Sequence, residues 1–271
     1  MDEKEIKKNV RQGYTSVAKK NISCCCSGNR AEEISSRIGY QSQELGAVPE
    51  GANLGLGCGN PTLSANLKPG EVVMDLGCGP GLDCFLAANK VGDTGKVIGV
   101  DMTPEMIDKA RENAAKGKYK NVEFRLGEIE NLPATDNSVD IIISNCVINL
   151  STDKLRVFRE AFRVLKPGGR ITISDLVLLR GLPETLRSNL PAYIACVAGA
   201  SLKEEYLGMI KETGFRDIKV LEETFFPAEL FIGDNINGAC LNRSGISVSE
   251  AKELDKSLVS IKVYAVKPRS S

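Results

Sequence analysis

A chain of 271 residues, 42% hydrophobic and 26% charged, can bury one ample core and carry an appended subdomain. Lys plus Arg and Asp plus Glu both total 35, so no global field draws it to nucleic acid or to an anionic membrane, and a small or neutral partner is expected. No apolar run approaches the roughly 20 residues of a spanning helix, and MDEKEIKKNV lacks the apolar stretch of a signal peptide, so the expectation is a soluble, cytoplasmic protein without a membrane partner; a monomer is expected.

In chain order, residues 1–20 predict an amphipathic helix through Ile6, Val10 and Val17, which ISCCCSGN interrupts. PEGANLGLGCGNP is a Gly-rich loop that leads into the first strand. Residues 1–66 are therefore expected to form an N-terminal lid or side wall. Residues 67–180 alternate β-rich runs (EVVMDL, KVIGV, NVEFRL, VDIIIS, RITISDL) with helical patterns (LDCFLAANK, PEMIDKARENAAKGK, TDKLRVFREAFRVL). The last helical pattern puts Leu155, Phe158, Phe162 and Leu165 on one expected face, and Lys166-Pro167-Gly168-Gly169 is expected to stop it. Thr103 and Pro104 suit the start of the middle helix. Alternation of this kind predicts an α/β fold, a doubly wound and mostly parallel sheet with right-handed crossovers. In residues 181–271, a helix in LKEEYLGMIKETGF, a strand near Asp217–Thr224 and a final strand in SIKVYAVKP are expected to complete one edge of that sheet, with residues 227–256 inserted between the two strands.

The run EVVMDL enters G-C-G-P-G, Gly77 to Gly81, and then a helix. Glycines there let backbone approach a ligand, and the helix start offers unpaired N–H groups. The second strand ends at Asp101, where an acid can hold a ribose diol. A nicotinamide-dependent enzyme shares such a turn and acid. The short DLGCGPG turn, VIGVDMTPEMIDKARENA, GEIENLPATDNSVDIIISN and REAFRVLKPGGRITISD together resemble the class I S-adenosylmethionine-dependent methyltransferases, in the right order across the whole core. The resemblance implies a Rossmann-like sheet with S-adenosylmethionine as cosubstrate. It implies that Asp75, Gly77 and Gly79 line the methionine end, that Asp101 binds both ribose hydroxyls, that Met102 packs on the adenine, that Glu128 and Ile129 meet the adenine edge, and that Asn145 lies near the methionine moiety.

Nine cysteines and no histidine complete the picture. The commonest general base is missing, and in a chain with no export signal the cysteines read as reduced thiols, ligands or catalytic groups rather than a disulfide framework. Cys58 lies in the loop entering the core, Cys146 at the carboxyl end of the fourth strand and Cys196 beyond the fifth, so three segments can bring three sulfurs to the crevice outside the strand ends. Three thiolates suit a soft centre such as trivalent arsenic, whose lone pair could face a methyl donor without any base. Zinc is the rival occupant, but its fourth ligand and Cys-x-x-Cys spacing are missing.

GLGCGNP, SNCVINLSTDK and ACVAGAS look like the three arsenic-binding cysteine segments of the arsenite methyltransferases, and PEGANLGLGCGNPTLSANLKPGE resembles their microbial members. Animal members carry an aromatic pair before the first loop cysteine, where this chain has Gly55-Leu56-Gly57. The resemblance implies methyl transfer to arsenite and methylarsenite bound by Cys58, Cys146 and Cys196. It also implies a redox role for one of Cys24, Cys25 and Cys26, reset by a thiol reductant of the thioredoxin or glutathione type. Those adjacent cysteines could instead trap arsenite and hand it inward. Cys78 and Cys84 read as packing residues, and Cys240 has no assigned role. Two other readings stay open: a methyltransferase for a carbon or oxygen acceptor such as a quinone precursor, and a non-enzymatic thiol protein that sequesters metalloids.

Overall fold

The structure is a computed structural model that describes residues 2–19, 29–182, 193, 196–226 and 257–269. Cys24, Cys25, Cys26, Cys240 and residues 227–256 lie outside the described residues. In chain order, α1 (Glu3–Lys19), α2 (Asn29–Arg37), α3 (Ser42–Gly46) and α4 (Pro61–Ser64) lead to β1 (Val72–Leu76), α5 (Leu82–Val91), β2 (Lys96–Asp101), α6 (Pro104–Lys116), β3 (Val122–Leu126) and β4 (Val139–Asn145). A short 3-10 turn at Ile148–Leu150 precedes α7 (Lys154–Val164), β5 (Leu165–Leu178), α8 (Lys203–Glu212), β6 (Arg216–Phe225) and β7 (Leu258–Val266).

The strands form one sheet in the order β3-β2-β1-β4-β5-β7-β6. The first five are parallel, and β7 runs antiparallel between β5 and β6. The doubly wound α/β expectation holds, including the late edge. Parallel strands covered on both faces read as near-continuous apolar runs, and side-chain alternation sorts them between two cores. Met74, Leu76 and Ile142 face α7 and α8, with Phe158, Val164, Tyr206 and Ile210. Val73, Ile141 and Ile143 face α5 and α6, with Phe85, Ala88, Ile107 and Ala110.

Two sequence expectations shift. The buried face of α7 is Val157, Phe158, Ala161 and Val164, while Leu155 and Phe162 are half-buried. Helices α7 and α8 pack side by side on the sheet, so the buried stripe of α7 turns toward the sheet, and Phe162 on its flank stacks edge-on with Phe215 at 5.1 Å. Residues 166–169 do not form a separate stop. Leu165 is already extended, and the Pro-Gly-Gly bulges inside β5, where the register with β4 jumps from Val139↔Leu165 to Ile141↔Arg170.

Helix α1 buries Val10, Val17 and Ala18; the last two pack on Met106 of α6. Among the described residues, no helix is long and apolar enough to cross a membrane.

Candidate functional site

A cavity of about 290 Å³ opens at the carboxyl ends of the parallel strands, between the glycine turn, the end of β4 and α1. Its floor is the β1-to-α5 connection. Gly77 has φ +69°, and a Cβ there would lie 2.3 Å from Val147 Cγ2. Gly79 has φ +51°, and a Cβ there would meet no atom within 4 Å, so its backbone faces open space on the cavity wall. Asp101 ends β2 and takes hydrogen bonds from the Gly79 N–H (3.0 Å) and the Thr103 N–H (2.8 Å). Burial raises its carboxyl while those N–H groups pull it down.

Asp75, Gly77, Gly79, Asp101, Met102, Ile129 and Asn145 all line this cavity. Glu128 is not part of the wall. It stands at the outer rim and pairs with Lys7 (3.0 Å) and Arg11 (3.6 Å) of α1. Glu130 lines the cavity instead, accepting from the Ser151 hydroxyl (2.7 Å) and pairing with Lys7 (3.2 Å). Asp75 is buried, and the Cys84 thiol donates to it at 3.3 Å. Burial and the charge of Asp83 hold its carboxyl well above the usual range. Asp83, pushed up to about 6 by burial, accepts from the Tyr40 hydroxyl at 2.7 Å.

The three cysteines share one packed cluster beside this cavity. Cys146 follows β4 with φ +58°, its N–H still bonded to Ser174 O at 2.8 Å, so the chain leaves the sheet with the side chain turned toward the crevice. Cys196 also has a left-handed backbone, φ +64°, and its thiol donates to Cys146 O at 2.9 Å. Left-handed φ is uncommon for cysteine and costs of order 1 kcal/mol per residue. Cys58 Sγ, Cys146 Sγ and an Asp175 oxygen lie within 4.8 Å of one another. Cys146 thus links the other two, its sulfur beside that of Cys58 and its carbonyl oxygen holding the Cys196 thiol. Cys146 and Cys196 reach the cavity wall, whereas Cys58 is buried behind them.

All three are free thiols in a desolvated setting. Burial pushes Cys58 up. For Cys146 the bond with Cys196 pulls down, but the Cys58 thiol and burial outweigh it and the thiol stands well above its ordinary value. The Cys146 contact and burial do the same to Cys196. Asp175 is fully buried on β5, pushed up to about 7 by burial, and accepts from the Leu176 N–H (3.0 Å), the Asn149 amide (2.9 Å) and the Tyr206 hydroxyl (3.0 Å).

Several site residues escape a reading of sequence. Asp175 sits in the strand run RITISD, and Tyr14 shares the stripe of Val10 and Val17 on α1 and lines the cavity. For Gly57, with φ +123°, a Cβ would lie 2.8 Å from Asn145 Nδ2. Its signal was present, as the glycines flanking Leu56, but nothing local says which residue they must admit.

A methyltransferase-domain family profile matches residues 67–214. An arsenite methyltransferase from Halobacterium salinarum is 47% identical over 81% of this chain and 59% of its own length. One from Aquipseudomonas alcaligenes is 39% identical over 74% of this chain and 58% of its own length. The chain thus spans somewhat under two thirds of these curated relatives. The crystal structure of an arsenic(III) S-adenosylmethionine methyltransferase from Chlamydomonas reinhardtii superposes with a TM-score of 0.67, at 31% identity, over 89% of this chain and 74% of that one. With that profile over more than half of its residues and that structural relative covered to 74%, this chain belongs to the S-adenosylmethionine-dependent methyltransferases, in the arsenic(III) methyltransferase family.

Proposed function

We propose that this chain methylates trivalent arsenic held by Cys58, Cys146 and Cys196, with S-adenosylmethionine as methyl donor. The observation that carries the reading is the cluster of three cysteines, which stands at the strand ends and opens on the cavity of the glycine turn and Asp101 through Cys146 and Cys196. Bound in that cavity, the cofactor supplies an electrophilic methyl group. The residues present fit it: Gly79 leaves backbone open to the ligand, Asp101 offers a carboxylate to a diol, and Met102 and Ile129 give apolar wall for the base. Asp75 and Asn145 serve the methionine end, and Glu128 closes the rim above the adenine side.

The raised thiols favour this substrate. Arsenous acid condenses with three neutral thiols and releases three molecules of water, so the thiol protons leave in the water and no base is needed. Arsenic bound by sulfur keeps a lone pair, and holding it beside the cavity turns a bimolecular encounter into a positioned one. Gain of a methyl cation takes arsenic formally from +3 to +5. A further thiol then gives up its proton, leaves with one arsenic-bound sulfur as a disulfide, and returns arsenic to +3. One of Cys24, Cys25 and Cys26 is the source of that thiol, with Cys58 as its partner, and a thioredoxin or glutathione-type reductant restores both. In this reading residues 1–66 form the lid and first sulfur loop, 67–180 the cofactor core and 181–271 the substrate-side region of a cytoplasmic monomer.

The test is purified protein with arsenite, S-adenosylmethionine and excess thiol, read by mass spectrometry for methylated arsenic. Methylarsenite is expected first, and Cys146→Ser abolishes it. Arsenite binding without turnover would favour sequestration; cofactor binding without arsenite binding would favour a carbon or oxygen acceptor.

A further inference from the structure

Helix α1 brings to the cavity wall a hydroxyl, that of Tyr14, which neither the cofactor nor the sulfur chemistry above has used. Lys7, Val10, Tyr14 and Val17 follow one another along one face, at the three- and four-residue spacing of a helical stripe. Tyr14 is on the cavity wall together with Cys146, Cys196, Asp101 and Met102. It also packs into the apolar cluster that contains Cys58, Cys146 and Cys196. Burial, with the Cys196 and Cys146 thiols and Asp101 close by, holds its hydroxyl well above the ordinary phenol value.

The placement of α1 is well braced on both sides of this residue. Toward the N-terminus Lys7 pairs with Glu128 and Glu130 at 3.0 and 3.2 Å. Toward the C-terminus the Thr15 hydroxyl donates to Glu105 at 3.0 Å, and Lys19 pairs with the same carboxylate at 3.2 Å. With Val17 and Ala18 seated on Met106, the helix cannot roll without breaking contacts at both ends, so the direction of Tyr14 is set by the frame.

We propose that Tyr14 is a positioning residue for the arsenic site, its hydroxyl donating to the Cys196 sulfur and its ring covering the thiols on the cavity side. The inference rests on the arsenic reading given above. A thiol has a single proton, and Cys196 directs its own to Cys146 O at 2.9 Å, so toward Tyr14 the sulfur acts as acceptor. When arsenic binds, Cys196 loses that proton and its bond to the Cys146 carbonyl. The Tyr14 hydroxyl then remains as a donor to a sulfur that carries thiolate character, and hydrogen bonds to charged acceptors are stronger than those to neutral ones. Tyr14 thus contributes more to the arsenic-bound state than to the free one. Its ring excludes water from arsenic–sulfur bonds that exchange with water.

Tyr14→Phe removes the hydroxyl and keeps the ring; Tyr14→Leu removes both. Arsenite affinity, S-adenosylmethionine affinity and tyrosine emission are measured on the full chain, which has no tryptophan to mask tyrosine. Tyr14→Phe is expected to weaken arsenite binding by about tenfold and to raise the arsenite KM more than it lowers kcat, with cofactor affinity within about twofold of wild type. The arsenite-dependent change in tyrosine emission should disappear in Tyr14→Phe. Tyr14→Leu should weaken arsenite binding further. If wild type binds arsenite while Tyr14→Phe matches it in affinity and keeps the emission change, the role of Tyr14 is overturned and the arsenic reading stands. A wild type that binds no arsenite overturns both.

Discussion

The side-chain oxygen of Asn145 accepts the backbone N–H of Cys58 at 3.0 Å, so the residue ending β4 holds the loop that carries the first sulfur. The same amide donates to Gly59 O at 2.7 Å and to the Tyr40 hydroxyl at 2.8 Å, and Ser260 of β7 donates to Cys58 O at 2.7 Å. Cys58 is thus placed by two strands remote from it in sequence.

Asn145→Ala is expected to release the Cys58 loop. It leaves the Cys58 N–H and Gly59 O without the Asn145 amide, while the Tyr40 hydroxyl keeps Asp83, at a cost of about 2 kcal/mol in urea unfolding. Cys58 is 4% exposed in the intact protein, so its alkylation by a thiol reagent should accelerate in the variant while that of Cys84, on α5, stays slow. Equal protection of Cys58 in both proteins would contradict the clamp.

The glycine turn separates packing from ligand binding. Gly77→Ala sets a methyl against Val147 Cγ2 at 2.3 Å in a left-handed backbone, and should cost more than about 2 kcal/mol and lower cofactor affinity with it. Gly79→Ala meets no neighbour and should cost only about 1 kcal/mol, yet it places a methyl on the cavity wall and should weaken S-adenosylmethionine by calorimetry far more than it weakens the fold. A Gly79→Ala protein with unchanged cofactor affinity would show that the turn does not cradle the ligand.

Stability should fall as pH rises because of Asp175. Its folded pKa, about 7, lies above the unfolded value of 3.8, so the favourable contribution is fully present below pH 3.8 and is lost as pH rises through about 7. Integrated over that interval, the effect is on the order of 4 kcal/mol, most of it gone by about pH 8. Asp175→Asn, which keeps the size and cannot ionise, should flatten the denaturation midpoint against pH.

Lys7 bridges two carboxylates, of which Glu130 is mostly buried with a side chain 8% exposed. Lys7→Met is expected to cost about 1 kcal/mol, the upper end for a partly exposed pair, because Glu130 keeps the Ser151 hydroxyl as a partner. Limited proteolysis should cut α1 sooner in the variant, and high salt should narrow the difference. An α1 equally resistant in both proteins would mean that its apolar face alone holds it down.

Much of this protein is readable from local pattern. The apolar runs ending in Asp75, Asp101 and Asn145 announce buried parallel strands, because a strand covered on both faces needs little polar alternation, and the glycines after Leu76 announce a turn that no side chain could follow. The late strands and their edge position follow from the same patterns. Period alone could not orient α7: Phe162 and Val157 are both apolar, and the one that faces the sheet depends on where α8 and Phe215 stand. Nor could the spacing of residues 58, 146 and 196 supply the left-handed turns at Cys146 and Cys196 that aim their sulfurs, or the buried Asp175 beside them. Glu128 shows the same limit from the other side, since its partners Lys7 and Arg11 are more than a hundred residues away in sequence. Residue type and period determine which segments become strands and helices, because those depend on neighbours along the chain. Which sulfurs, acids and hydroxyls face one another depends on contacts between distant segments, and the packed sheet with α1 laid across its end decides that.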